Sequence, residues 1–346
     1  MTRSGESQEG KRRMDKIAQG PEIDRKELFS RTADAMGQLS PAIIEKDFWV
    51  CWVLDALFSS PQWRDKIIFK GGTSLSKAFH IINRFSEDID LILDWRQLGV
   101  TSDEAWDKRS NTSQEKFCKD INGKAATYLA TVFVPSFSIE LEKKLGNKIP
   151  VIANGEVVTI IYPRAFSLEY LRPEIVLEIG PLAEWVPHAL FEITPYSTEK
   201  FPDLFTKKSA QVATILAERT FWEKATILHK LASQGKIPPR QSRHYYDLSL
   251  LAQSETKSVA LGKLDLLREV IAFKQRFYRS PKAQYEKAVP GSFRLLPDTN
   301  LIDVLNEDYN KTKEMIFGTP PTFEFIVQTL KALEDEINLL PHDKYT

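Results

Sequence analysis

The sequence predicts an α+β fold of mixed α/β character: a core with a mixed twisted sheet, followed by a helical C-terminal domain. Short β-rich runs cluster before about residue 180, and long amphipathic patterns fill the chain from about 208 onward. Strands early and helices late are the mark of that class. A third observation ties the early part together. A strand, a Gly-Gly turn, an amphipathic segment and a second strand follow one another between 66 and 93.

Taken in order, residues 1–40 read as a mobile N-terminal segment with a possible helix; they are polar at first and carry Lys11-Arg12-Arg13. Ser40-Pro41 places an N-cap before a proline at the first helical position. Ile44, Phe48, Cys51, Val53, Leu54, Leu57 and Phe58 then give a helix to about residue 58. Lys66–Lys70 is a short strand ending at Gly71-Gly72. Leu75, Phe79, Ile82 and Phe85 recur at helical spacing, so a helix is expected over that stretch. Asp88–Leu93 alternates as a second strand. Residues 95–123 read as loop and exposed helix. Val132–Val134, Phe137–Leu141, Val157–Tyr162 and Ile175–Ile179 are strand candidates. Helices are expected over roughly 210–234, 242–253, 258–285, 299–317 and 322–339. The division expected is a core over 41–205 and a helical domain over 206–346.

Composition narrows the function classes. The chain has 346 residues, with 47 basic and 47 acidic ones. Net charge therefore exerts no global pull toward nucleic acid or an anionic membrane, and any polyanion site must be a local patch. The two cysteines, Cys51 and Cys118, form no zinc spacing and no disulfide framework, as suits a reducing compartment. No apolar run follows the basic residues 11–13, so no signal peptide is read there. The longest apolar stretch, Phe48–Phe58, is broken by Asp55 and is too short to span a bilayer. A cytoplasmic protein is expected.

The chemistry-bearing pattern lies between 70 and 90. Asp88 and Asp90 are two apart on a strand and so share a face. Two adjacent carboxylates repel unless a cation sits between them, and oxygen donors of this kind suit Mg²⁺ or Mn²⁺. Upstream, Gly71-Gly72-Thr73-Ser74 lets the backbone approach a ligand, and the helix start that follows favours phosphate. Alone, a D-x-D reads as a polar strand edge and a Gly-Gly pair as a plain turn; together at one end of a sheet they place a metal beside phosphates. No G-x-x-x-x-G-K-[ST] is present, which excludes a P-loop. A third acid is expected from a neighbouring strand. Glu178, inside the apolar Val176–Ile179, is the first candidate; Glu174 and Glu140 are the others.

At these residues the sequence resembles the AbiEii/AbiGii toxin family of nucleotidyltransferases, within the DNA polymerase β superfamily. Phe69–Lys77 and Arg84–Leu91 resemble its first motif, Glu45-Lys46-Asp47 its N-terminal segment, and Phe221–Lys224 and Arg243–Leu248 its later motifs. The interval from Ser74 to Asp88 is long for the wider superfamily, and Gly-Gly-Thr-Ser stands where a bare Gly-Ser is usual. Which of Thr73 and Ser74 contacts phosphate is therefore open. The resemblance implies a nucleoside triphosphate held by Gly71, Gly72, Thr73, Ser74, Lys77, Lys224, Arg243 and Asp247. It implies Mg²⁺ on Asp88, Asp90 and Glu178, with Lys224 counted beside these acids as catalytic and the helical domain completing a nucleotide cleft. It further implies the toxin of a two-gene toxin–antitoxin or abortive-infection system in phage defence, with a cognate antitoxin and an RNA acceptor, first of all a tRNA 3′ end.

The later motifs also have a plain reading. Lys224 borders the stripe Ala217, Phe221, Ala225, Leu228 and Ala232, where a lysine either snorkels or enters a site; the resemblance favours the site. Arg243 and Asp247 are i, i+4 and read equally as a surface salt bridge. Tyr245 and Tyr246 read as core, and the histidines form no metal-ligand spacing. Lys143, Lys144, Lys148, Lys207, Lys208, Lys236, Arg240 and Arg243 are the local cations available to RNA phosphates. Two further functions stay open: a small-molecule nucleotidyltransferase of the antibiotic-modifying kind, and a catalytically silent fold that binds RNA or a partner.

Overall fold

The structure, a computed structural model, describes residues 14–37, 39–86, 88–168, 171–206 and 208–341. Residues 1–13 of the expected N-terminal segment, with Lys11, Arg12 and Arg13, lie outside them. The remainder of that segment forms α1 (Met14–Ala18) and α2 (Glu22–Ala35). The central helix α3 (Pro41–Ser59) starts at the expected Ser40-Pro41 and is buried from Ala42 to Phe58.

Next come β1 (Ile67–Lys70), α4 (Gly71–Lys77), β2 (Asp88–Leu93), α5 (Ser102–Trp106), α6 (Asn111–Tyr128), α7 (Val134–Leu145), β3 (Val151–Asn154), β4 (Val157–Ile160), β5 (Ile175–Gly180), β6 (His188–Ile193), α8 (Tyr196–Lys200) and β7 (Ala210–Ile215). The seven strands form one mixed sheet in the order β3-β4-β5-β2-β1-β7-β6. β2 pairs antiparallel with β1 and parallel with β5, which puts it at the centre. The helical part follows as α9 (Ala217–Gln234), α10 (Ser242–Leu251), α11 (Glu255–Leu261), α12 (Leu264–Phe277), α13 (Thr299–Thr312) and α14 (Phe323–Asn338). The α+β class is as the sequence predicts.

Strand alternation sorts the sheet into two faces. Ile67, Phe69, Ile89, Leu91, Leu93, Leu177 and Ile179 are buried in one apolar core together with α3, α6 and α7. The opposite face carries Lys70, Asp88, Asp90 and Glu178, with the small apolar cluster Ile68, Ile92, Ala183 and Ile215 deeper along it. A second large core is built from α9 to α14 and takes in Leu75 and Ile82.

Three local expectations are corrected. The helix after Gly72 stops at Lys77 rather than running to Phe85. His80 adopts a left-handed backbone, φ 52°, and the chain beyond it pairs with a distant segment: Phe85 N donates to Met315 O (2.8 Å) and Phe317 N to Asn83 O (2.6 Å). Val132–Val134 and Phe137–Leu141 are not strands. Phe133, Phe137, Leu141 and Leu145 are buried at every fourth position, so the helical period overrides their β propensity. A π turn at Leu129–Phe133 admits Pro135 at the start of α7, where a missing N–H is tolerated. The helix expected from 210 begins at Ala217, because Ala210–Ile215 adds a strand beside β1. β3 and β6 were not anticipated.

Candidate active site: a row of carboxylates between cavities

The register across three strands builds the site. Lys70 of β1, Asp90 of β2 and Glu178 of β5 are successive partners, Lys70 opposite Asp90 and Asp90 opposite Glu178. Paired residues share a face, so these side chains form a row, with Asp88 two residues up the central strand. Glu178 thus stands on the strand adjacent to the two aspartates. Glu140, the weaker candidate, is on α7 and accepts a hydrogen bond from Trp63 Nε1 (3.0 Å), away from this row. Among the described residues no three His, Cys, Asp or Glu side chains close on one metal-sized point; the acids stand as neighbours rather than as a closed cage.

The electrostatics of the row follow from burial first and from neighbouring charges second. Burial raises the Asp90 carboxyl above its usual range; Lys70 opposes this and Asp88 adds to it. Glu178, on the open side of its strand, is raised by partial desolvation, then by the charges of Asp90 and Asp88. Lys70 is held charged: burial would lower it, but Glu223 and Asp90 carry it above the ordinary lysine value.

The Gly-Gly turn is shaped by these side chains. Gly71 has φ 84°, a region L side chains rarely adopt, and a Cβ there would overlap Asp90 Oδ2. A Cβ on Gly72 would lie 2.6 Å from Arg84 Nη2. Both hydroxyls that follow serve the turn in this structure: Thr73 Oγ1 donates to Asp88 O (2.5 Å) and Ser74 Oγ to Gly71 O (2.8 Å). Lys77 is buried, paired with Asp47 Oδ1 at 2.8 Å, and lies over the Tyr196 ring.

The helical part closes on the row through Arg84. Its Nε and Nη2 donate to Asp247 Oδ1 and Oδ2 at 2.7 and 2.9 Å, and Lys224 Nζ stands 2.7 Å from Asp247 Oδ2. All three side chains are buried. The surface pairing of Arg243 with Asp247 is thereby replaced: Asp247 belongs to Arg84 and Lys224. Burial alone would raise Asp247, but the two cations outweigh it and hold the carboxyl well below its usual range.

Two cavities open on the acids and a third adjoins them. Asp88 borders one of about 380 Å³ whose walls carry Arg84, Arg172, Arg240, Arg243 and Lys311. Arg172 Nη1 is 3.5 Å from Asp88 Oδ1, and the buried Arg243 Nε has no hydrogen-bond partner among the described residues. Asp90 and Glu178 open instead on a cavity of about 360 Å³ with Lys70, Asn122, Glu156 and Tyr278. A third, of about 430 Å³, adjoins it at Lys70, Leu182, Ala183 and Tyr278 and runs between α9 and α12. There burial pulls Lys274 down to about 7; burial and then Lys224 keep His244 neutral. Of the cations expected to meet RNA, Arg240 and Arg243 line the basic cavity, Lys144 is paired with Asp15 and Asp55, and Lys207 lies outside the described residues. Sequence reading passed over Lys70, Arg84 and Arg172 as site residues. The first two are quoted in the motif, but only strand register and chain crossing bring them to the acids.

The sequence model of the family described as nucleotidyl transferase AbiEii toxin, type IV TA system, matches residues 52–329. The chain belongs to the AbiEii family. It is a nucleotidyltransferase, the toxin of a type IV toxin–antitoxin system, and the family implies a cognate antitoxin. Among solved structures the AbiEii chain is similar to MenT4, a nucleotidyltransferase toxin from Mycobacterium tuberculosis H37Rv, at 15% identity and a TM-score of 0.46, covering 91% of this chain and 94% of that one. No curated protein matches the chain. Among the described residues no helix is long and apolar enough to cross a membrane.

Proposed function

We propose that this toxin transfers a nucleoside monophosphate from a triphosphate to an RNA acceptor, first of all a tRNA 3′ end, with Mg²⁺ (or Mn²⁺) on Asp88, Asp90 and Glu178. The observation that carries the reading is the in-register row of acids on one sheet face. The donors are oxygens, and burial, with the neighbouring carboxylates adding to it, raises Asp90 and Glu178, a cost that a divalent cation relieves. Bound there, Mg²⁺ would neutralise triphosphate charge and favour the ionised acceptor hydroxyl.

The protein's own groups divide the labour by charge. The basic cavity beside Asp88 draws the triphosphate, with Arg172 and Arg243 facing it. The acceptor hydroxyl approaches from the Glu178 side, through the cavity that Asp90 and Glu178 share with Lys70. The acceptor hydroxyl gives its proton to solvent, its oxygen bonds to the α-phosphorus, the bond from that phosphorus to the bridging oxygen breaks, and pyrophosphate leaves toward the arginines. Arg84 and Lys224 hold Asp247, which joins the helical part to the turn below the acids. Positioning and electrostatics supply the catalysis. Growth arrest during phage infection and action in the cytoplasm belong to this reading.

The test is incubation of the protein with each labelled triphosphate, Mg²⁺ and total RNA. Label enters RNA with one or more of the triphosphates and none enters with Asp88→Ala or Asp90→Ala. Labelling that survives both substitutions places the chemistry elsewhere.

A further inference from the structure

Glu45, Lys46 and Asp47 precede the segment matched by the family model, and the transfer chemistry leaves them unexplained. They occupy successive positions of α3, and all are buried, at 0%, 0% and 2% exposure. Successive helical positions face different directions, so the three meet different parts of the chain. Glu45 accepts from Ala165 N (2.7 Å) and Phe166 N (2.9 Å), one oxygen to each. Lys46 Nζ donates to Arg172 O (2.8 Å). Asp47 Oδ2 accepts from Tyr196 N (2.7 Å). Burying charge in an apolar helix is unfavourable unless each group is bonded, and here two of the three bind one connection, that between β4 and β5. Glu45 grips its first part and Lys46 its last.

The last grip is on the residue that reaches the acids. Arg172 has its carbonyl fixed by Lys46, while its guanidinium lies 3.5 Å from Asp88 Oδ1 and lines the basic cavity. The side chain is 45% exposed, while the backbone is anchored at its carbonyl. That position sets the cation beside Asp88 and on the wall of the cavity that would take phosphate. The cavity on the other side of the row sets Lys70 against Asp90, Glu156 and Glu178, a balance less favourable to phosphate.

We propose that Arg172 is a triphosphate-binding residue of the transfer site and that Lys46, with Glu45, is its positioning residue. This rests on the reading of Asp88 as a metal-bearing acid of nucleotidyl transfer. Lys46 touches no substrate; it acts by fixing the point from which Arg172 extends.

The experiment measures binding of non-hydrolysable triphosphate analogues with Mg²⁺ by titration calorimetry, and KM and kcat of transfer, in the full chain. The variants are Arg172→Gln, Lys46→Met, Lys46→Arg and the double Lys46→Met/Arg172→Gln. Each of the first two weakens triphosphate binding about tenfold, as loss of one charge-assisted hydrogen bond does, and moves KM more than kcat. Lys46→Arg keeps a cationic donor and recovers part of the loss. The double variant binds no more weakly than Arg172→Gln, because the effect of Lys46 passes through Arg172. The proposal is overturned if Arg172→Gln binds as the wild type does, if the two losses multiply, or if Lys46→Met lowers only the melting temperature. Should Lys46→Met fail to fold, Glu45→Gln replaces it under the same criteria. A wild type that binds triphosphate without transferring it overturns the function reading alone, and the binding ratios still decide this one. A wild type that binds none overturns both.

Discussion

Lys224 Nζ lies 2.7 Å from Asp247 Oδ2, and both side chains are buried. Arg84, from the sheet half, holds the same carboxylate by two hydrogen bonds. One aspartate therefore compensates two buried cations from different parts of the chain.

Removing Asp247 strands both cations, whereas removing Lys224 leaves Asp247 with Arg84. Asp247→Ala is expected to destabilise by about 3–5 kcal/mol, the usual result of breaking a buried pair from one side, and Lys224→Ala by less. Urea unfolding at neutral pH gives the order. The folded Asp247 value is depressed, so its contribution is fully present above the unfolded value and fades as pH falls through the folded one. The stability gap between wild type and Asp247→Asn should thus hold from neutrality to about the ordinary aspartate value of 3.8 and narrow only below it. Equal losses for Lys224→Ala and Asp247→Ala would contradict the shared-carboxylate account.

Asp90 and Glu178 have the opposite sign. Their folded values are raised, so they favour folding most below the unfolded values and lose that contribution as pH rises through the folded ones. In chelator, Asp90→Asn should melt higher than wild type at pH 7, and the difference should vanish toward pH 4. Added Mg²⁺ should raise the wild type and leave the variant unmoved. Thermal melts across pH with and without Mg²⁺ read this directly. A variant that melts lower than wild type at pH 7 in chelator would show that Lys70 already neutralises the row.

How much of this was legible in the sequence depends on the range of the signal. Asp88 and Asp90 share a face because strand period is local, and the neighbouring strand of Glu178 followed from its apolar setting. The pairing of Asp90 with Lys70 and Glu178 was not legible, because register is set by strands far apart in the chain. Lys77 and Asp247 matched family motifs, yet their partners Asp47 and Arg84 could be assigned only from the crossing of α3 and the 83–85 segment. The stretch 129–145 misled for a physical reason: its Val, Ile and Phe residues suit strands, and only the buried every-fourth-residue stripe reveals the helix. β7 was missed because the helical pattern of α9 reaches backward over a short strand.

Gly71 tests whether the turn exists to accommodate Asp90. Its φ of 84° makes any Cβ strained, by about 1–2 kcal/mol, and that Cβ would also collide with the Asp90 carboxylate. Gly71→Ala should therefore displace Asp90 as well as strain the backbone. Transfer is expected to fall far more than stability, with folding retained by circular dichroism and the Mg²⁺ effect on melting reduced. A Gly71→Ala protein with normal kcat would mean that Asp90 relaxes without consequence.

Arg243 and Lys224 separate two ways of holding a nucleotide. Family resemblance set both on the triphosphate. In the structure Lys224 is occupied by Asp247, whereas Arg243 lines the basic cavity beside Asp88 with Nε buried and unpartnered among the described residues. Asp88 comes from the sheet and Arg243 from α10, so a triphosphate between them would bridge the two parts of the chain. Ligand that binds only the folded state stabilises it by mass action, about 2.7 kcal/mol at a hundredfold excess over Kd. A triphosphate with Mg²⁺ should accordingly raise the wild-type melting temperature. Arg243→Gln should lose most of that rise while its ligand-free melting temperature barely changes. Lys224→Ala should do the reverse, melting lower without ligand and keeping part of the rise. Melting scans of the three proteins with each triphosphate decide the matter. If Lys224→Ala loses the entire nucleotide shift while Arg243→Gln keeps it, the lysine exchanges Asp247 for phosphate when the substrate binds, and the assignment of the basic cavity to the triphosphate fails.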